Sequence, residues 1–227
     1  MPHDRPAPAG APLRAFAAML AMVVASVPAF AEQAQTYALD PVHTRVLFAI
    51  EHAGFSKALG TVSGSTGTLV FDRDDWRSAR LDVRVPLQRL DLGDAEWNEA
   101  ALAANLLDAR RHPEAHFVST AVEPVDAEHA RVCGELSLRG VTRPLCMDVT
   151  LNALKRHPMP PFRRTAGFSA TATLSRADFG MSAWKTVIGD AVELRIEAEA
   201  VRERGEPATA PEPEPVEPDP ATAEPKP

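Results

Sequence analysis

The chain has 227 residues, which suits one domain with tails, and its hydrophobic content of 45% is ordinary for a globular fold. The formal net charge is −7, and from Glu203 onward seven acids face two bases, so the tail carries −5 and everything before it −2. No clustered basic face is present, which argues against a nucleic-acid partner.

The N-terminal stretch reads as a secretory leader over residues 1–31. Arg5 and Arg14 supply positive charge, Ala15 to Val27 is apolar, and Ala29-Phe30-Ala31 forms an A-x-A site before Glu32. The apolar run is too short to span a bilayer, and no other segment is long and apolar enough to cross one as a helix. The mature chain is therefore expected in the periplasm.

Residues 36–202 read as one β-domain. Thr44, Val46, Phe48, Ile50 and His52 alternate with Arg45, Leu47, Ala49 and Glu51 as a first strand. A second strand, Thr61 to Asp72, carries glycines that suggest a bend or bulge. A third places Ala79, Leu81, Val83, Val85 and Leu87 inward, with Pro86 favouring its end. From Asp94 to Arg110 the period changes, and an alanine- and leucine-rich run without glycine or proline predicts one helix, capped by Asp94 or Gly93.

Strands follow over Ala115 to Val122, Ala130 to Leu138 and Pro144 to Ala153. The last two of these form a hairpin, with Val132, Gly134, Leu136 and Leu138 matching Leu145, Met147, Val149 and Leu151. A turn centred near Val141 would set Cys146 against Glu135 or Ser137, so Cys133 and Cys146 are expected as two unpaired thiols. The last pair places Ala166, Phe168, Ala170, Ala172 and Leu174 on one face and Val192, Leu194, Ile196, Ala198 and Ala200 on another. Half of these inward positions are alanine, which cannot fill a barrel interior. The Pro/Glu-rich run over residues 203–227 buries almost nothing and is expected to be disordered.

About eight strands and one helix give an all-β fold class, an eight-stranded antiparallel up-and-down barrel of lipocalin-like form. Four connections share one mouth: Ala53 to Leu59, the helix, Arg139 to Arg143, and Arg176 to Gly189. No C-x-x-C, H-E-x-x-H or G-x-S-x-G occurs. His43 and His52, nine residues apart, fall on opposite faces of an unbroken strand, so no metal site is expected. Arg176 and Asp178 read chiefly as turn-forming residues.

Three stretches, "DPVHTRVLFAIEHAGFSKALGTVSGSTGTLVFD", "GELSLRGVTRPLCMDV" and "AGFSATATLSRADFGMSAWKTVIGDAVELRIEAEA", resemble the YceI-like, polyisoprenoid-binding family. The similarity covers Tyr37 to Val201. It implies a barrel holding an isoprenoid or quinone-like lipid in an apolar tunnel, with no covalent cofactor and no chemistry of its own. Pairing of two copies as a homodimer is compatible with it. The chain departs from the family pattern in the helix, where Ala100 replaces a usual His and leucines replace paired aromatics. Val62 and Ser65 likewise stand where the family prefers aromatics.

The expected ligand-binding wall consists of Phe48, Ile50, His52, Leu69, Phe71, Val83, Val85, Phe117, Leu136, Met147, Phe168, Ala170 and Ala172. Trp97, Leu102 and Leu106 are expected to join it from the helix. Phe55, Phe179, Met181 and Trp184 lie on mouth connections and are candidate lid residues. Lys57, Arg139, Arg176 and Lys185, with Arg143, would hold a polar or anionic head group at that mouth. Two other functions compete: a lipid-modifying enzyme using His52 and a carboxylate, and an envelope interaction module with a solid core. The leader predicts that N-terminal sequencing of protein from the envelope fraction starts at or near Glu32; a start at Met1 would remove it.

Overall fold

The structure is a computed structural model that describes residues 34–204. The expected leader and the tail beyond Arg204 lie outside the described residues. Among the described residues the chain forms eleven strands and one α-helix: β1 Gln35–Leu39, β2 Arg45–His52, β3 Ser56–Ser63, β4 Thr66–Phe71, β5 Arg80–Pro86, β6 Leu90–Asp91, α1 Ala95–Leu102, β7 Glu114–Pro124, β8 His129–Leu138, β9 Val141–Arg156, β10 Arg164–Ser175 and β11 Ile188–Arg202.

Every pairing is antiparallel. The ring runs β1-β4-β5-β7-β8-β9-β10-β11 and closes because β11 pairs with β1 through Tyr37–Arg202, Ala38–Val201 and Leu39–Ala200. The barrel thus has eight strands. Above the β1 pairing, β2 continues along β11, from Glu197–Arg45 up to Ile188–His52. In the same way β3 continues β4, so each pair acts as one long strand with a break.

Both breaks have local causes. Asp40 ends β1 with a turn in which its carboxylate accepts the N–H groups of Val42 and His43 at 2.8 and 3.2 Å, while Thr44 N–H bonds Asp40 O at 2.9 Å. Its own N–H donates to Glu199 O at 2.8 Å, which keeps the corner anchored on β11. The second break falls at Gly64, where φ is +79°. The single strand expected over Thr61 to Asp72 is therefore two strands. Sequence alternation also missed β1 and the two-residue β6, which are too short to carry a period.

The helix is shorter than expected. Asp94 caps it, accepting from Glu96 N and Trp97 N at 3.0 Å each. It stops at Leu102, because Ala103 is extended and Asp108 turns left-handed at φ +50°. The chain folds back so that Ala109 N–H reaches Leu102 O at 3.1 Å, and Arg111 Nε donates to the buried Asp108 carboxylate at 2.7 Å. That contact holds the Asp108 carboxyl below the usual carboxylate range. A helix continued to Arg110 would have carried Leu106 and Leu107 away from the barrel they now cover.

The hairpin of β8 and β9 turns at Arg139 and Gly140, both with positive φ, as a two-residue turn requires. This is tighter than a turn centred on Val141. Cys133 consequently faces Cys146 directly, and the two form a disulfide with Cα atoms 4.0 Å apart. The expectation of unpaired thiols fails on that shift in register.

The barrel floor is packed with aromatic rings. Phe71 meets Trp76 and Phe168 edge-on at 5.0 and 5.5 Å between centroids. Tyr37, Ala166 and Ala200, at 1%, 0% and 0% exposure, seal the space around the ends of β1, β10 and β11. Replacing both Cys133 and Cys146 by Ser should cost at most about 3 kcal/mol, since the loop closed is short and already held by a ladder. Urea unfolding monitored by circular dichroism measures this, with the strand signal retained.

Candidate functional site

The inward rows do not fill the barrel. A cavity of about 770 Å³ extends through its interior, bounded at the floor by Leu69, Phe71, Trp76 and Phe168 and toward the mouth by His52, Trp97, Leu106 and Trp184. Its wall is overwhelmingly aliphatic and aromatic. A void of this size falls within the range of small-molecule and lipid sites. The solid-core alternative required its absence.

Small residues create the space. Ala58, Ala170 and Ala198 line the wall beside Val83, Val149 and Ile196. Gly60 and Gly134 let ring carbons of Phe48 and Phe117 lie over the sheet where a Cβ would collide. The sequence-predicted residues Phe48, Ile50, His52, Leu69, Phe71, Val83, Val85, Phe117, Leu136, Met147, Phe168 and Ala170 all line the cavity, with Trp97, Leu106, Met181, Trp184 and Arg176.

Four of the expected apolar contacts lie elsewhere. Ala172 packs against the core cluster without reaching the cavity, as does Leu102 at the end of α1. Phe179 is buried in the turn below the mouth at 2% exposure. Phe55 is 92% exposed and does not line the cavity. The sequence reading missed Val62, Leu87, Leu90, Leu138, Leu194 and Ile196 as lining residues, although the inward rows of their strands contained several of them.

The expected cation cluster is dispersed, because each charge finds another partner. Lys57 Nζ meets the Glu193 carboxylate at 2.6 Å on the outer wall. Arg139 donates to Gly180 O at 3.2 Å and Ala104 O at 3.0 Å, tying two mouth loops together. Arg143 reaches Thr142 O at 3.1 Å, and Lys185 is exposed and does not line the cavity. Among the described residues the cations that line the cavity are Arg80 and Arg176, and both donate to backbone carbonyls.

Arg176 is the structural centre of the mouth. Buried to 4% exposure, it donates through Nε to Gly189 O at 2.8 Å, through one terminal nitrogen to Met181 O at 2.6 Å and through the other to Ile188 O at 2.9 Å. Asp190 completes the turn by accepting from Ala177 N at 2.9 Å. The Ser175 hydroxyl and that backbone N–H hold the Asp190 carboxyl below its ordinary range. The turn-forming reading of Arg176 thus agrees with the contacts. Asp178 contributes only its N–H, to Ser175 Oγ at 3.3 Å.

The polar groups left at the mouth are few. His52 stacks obliquely on Trp97 with centroids 5.4 Å apart, and Asn105 lines the same rim. Glu51 accepts the Gly54 N–H within its own turn. His43 lies at the other end of β2, hydrogen-bonded to Asp40 at 2.8 Å, a contact that raises its affinity for a proton. Asp40, His43 and Glu199 bring ligand-type atoms within 4.8 Å of one another, yet the His43–Asp40 bond serves the corner between β1 and β2.

This geometry is an apolar ligand-binding cavity, and its resemblance to known proteins is consistent throughout. The YceI-like domain family matches residues 37–200. The chain belongs to the YceI-like family. A UPF0312 protein of Pseudomonas savastanoi pv. phaseolicola is 35% identical over 166 residues, covering 72% of this chain and 85% of that one. Burkholderia cenocepacia BcnA has the same fold, with a TM-score of 0.64 at 21% identity, covering 71% of this chain and 98% of that one. A polyisoprenoid binding domain from Saccharophagus degradans, implicated in plant cell wall breakdown, aligns with a TM-score of 0.55 at 15% identity, covering 74% of this chain and 99% of that one. Among the described residues no helix of this YceI-like chain is long and apolar enough to cross a membrane.

Two measurements test the mouth. Arg176→Met should cost on the order of 3 kcal/mol in urea unfolding, since one buried and two partly buried contacts to carbonyls lose a charged donor. Asp190 has a depressed folded pKa, so its contribution is present above about pH 4 and is lost as pH falls through the folded value. The difference in melting temperature between wild type and Asp190→Asn should be largest at neutral pH and close in acid.

Proposed function

We propose that this protein is a periplasmic carrier for an isoprenoid or quinone-like lipid with an uncharged head group, held inside the barrel without covalent attachment and without chemical conversion. The observation that carries the reading is an apolar void of about 770 Å³ whose lining cations are both committed to backbone carbonyls. A buried anion would need a charged or densely hydrogen-bonding partner, and desolvating it without one is costly. Neutral oxygens need only single hydrogen bonds, which His52, Asn105, Trp97 and Trp184 can offer at the mouth. The polyisoprenoid binding domain among the structural neighbours supports the apolar tail. The leader sequence at residues 1–31 supports the periplasm.

The enzyme alternative would use His52 as its base; among the described residues the contact shown for its ring is the tilted stack on Trp97.

The test uses Ala170→Trp, since Ala170 lines the wall between Val149 and Ile196. The indole should fill the void and abolish co-purification of lipid seen by native mass spectrometry. The barrel should survive at a cost of about 1–3 kcal/mol. Titrating two lipids with one tail, one neutral-headed and one anionic, should show the neutral one binding at least tenfold tighter, because the anion lacks a charge partner (about 1.4 kcal/mol or more). Equal affinity would remove the head-group assignment and leave the tail.

A further inference from the structure

We propose that the barrel mouth docks directly on a lipid bilayer, through a rim of exposed aromatic residues led by Phe55 and Trp184. The rim is built rather than accidental. Phe55 follows a tight turn in which Ala53 and Gly54 both have positive φ, and the residue is 92% exposed. Trp184 is 62% exposed and is itself held at φ +58°, a conformation rare for a bulky residue. Two N–H groups, of Val187 and Ile188, fix the Trp184 carbonyl at 2.9 and 2.8 Å. Arg176 then clamps the flanking segment through Met181 O and Ile188 O. The two turns touch, since Ala53 N–H donates to Val187 O at 2.6 Å. A buried arginine thus stabilises a loop that presents an indole to solvent, a surface with no folding benefit in water.

The surroundings select a bilayer as the occupant. Trp184 and Trp97, 46% exposed, line the cavity on one side and meet solvent on the other, so the rim is continuous with the apolar wall. A lipid leaving a membrane through this mouth would move from one apolar phase to another without crossing water. Tryptophan and phenylalanine suit the depth at which head groups meet acyl chains. Among the nearby charges, Lys57 is paired with Glu193 and Asp190 feels the field of Lys185, while Asp94, Glu96 and Glu99 flank Trp97, so the rim has no cationic excess. Such a rim suits zwitterionic head groups and gives anionic lipid no special hold. The cavity reading supplies the purpose of the docking, but the contact itself depends on the rim alone.

The experiment uses the full mature chain with vesicles of dioleoylphosphatidylcholine, with and without brominated acyl chains. The wild type should float with the vesicles, and its tryptophan emission should be quenched by the brominated lipid. Phe55→Ser changes a side chain outside the cavity and should weaken partition about tenfold. It should leave uptake of N-phenyl-1-naphthylamine in vesicle-free buffer unchanged. Replacing a fifth of the lipid with phosphatidylglycerol should change partition by less than about threefold. Absence of flotation, equal partition of the variant, or binding that requires the anionic lipid would each overturn the proposal. So would a vesicle-free dimer that Phe55→Ser dissociates, which would make the rim a contact between two copies. Failure of dye uptake in the wild type counts against the cavity reading, whereas flotation tests only the rim.

Discussion

A ring of eight antiparallel strands encloses a volume that its own inward side chains must fill, or a guest must. In this chain the deficit is set by where the large residues stand. Phe71, Trp76 and Phe168 meet edge-on at the floor, with Tyr37 beside them, so that end is a packed core. Above them the wall is Ala58, Ala170, Ala198, Val83 and Ile196, and the space stays open. Packing density elsewhere in proteins is close to that of crystals, so a void of this size is a cost that the fold carries for a purpose. The breaks after β1 and β3 leave the ladders continuous, since β2 takes over the pairing with β11 and β3 pairs with β2.

The mouth is organised by backbone hydrogen bonding, and that explains its neutrality. Loops that cross the end of a barrel leave carbonyls without a ladder partner. Arg176 and Arg139 satisfy these, the first inside the Met181–Gly189 segment and the second between Ala104 and Gly180. A guanidinium so committed has little left for a ligand. Lys57 is drawn to Glu193 on the outer wall by the same preference of a charge for the nearest partner. Cationic residues on mouth connections are therefore mostly structural, and the cavity presents chiefly rings and aliphatic groups.

The strands were legible because one face is wet and the other dry, which imposes a period of two on any sequence that must satisfy both. Val192 to Ala200 and Ala166 to Leu174 carry that period without interruption, and they line or underlie the cavity as it requires. Of the alanines among them, Ala170 and Ala198 line the cavity, whereas Ala166 and Ala200 are close-packed. The resemblance to the YceI-like family rested on long ordered motifs, and the family match over residues 37–200 agrees with it. The helix cap at Asp94 was legible too, since a short acid before a helix has one strong use.

Four other features depended on tertiary contacts. The stop of α1 at Leu102 arises because Leu106 and Leu107 gain more by covering the barrel than by extending a helix into water. The Cys133–Cys146 bridge depends on a two-residue turn, and a single shift in hairpin register moves a cysteine from opposite to diagonal. Ala172 left the predicted site because inward facing means only away from solvent, and a core and a cavity are both away from solvent; Phe179, expected in the lid, is buried in its own turn. The cations followed partners that are remote in sequence, such as Glu193 for Lys57, 136 residues away. Local alternation determines which face of a strand is apolar, because that is a property of neighbours along the chain. Whether the apolar face closes on atoms or on empty space is a property of all eight strands together, and only the closed barrel decides it.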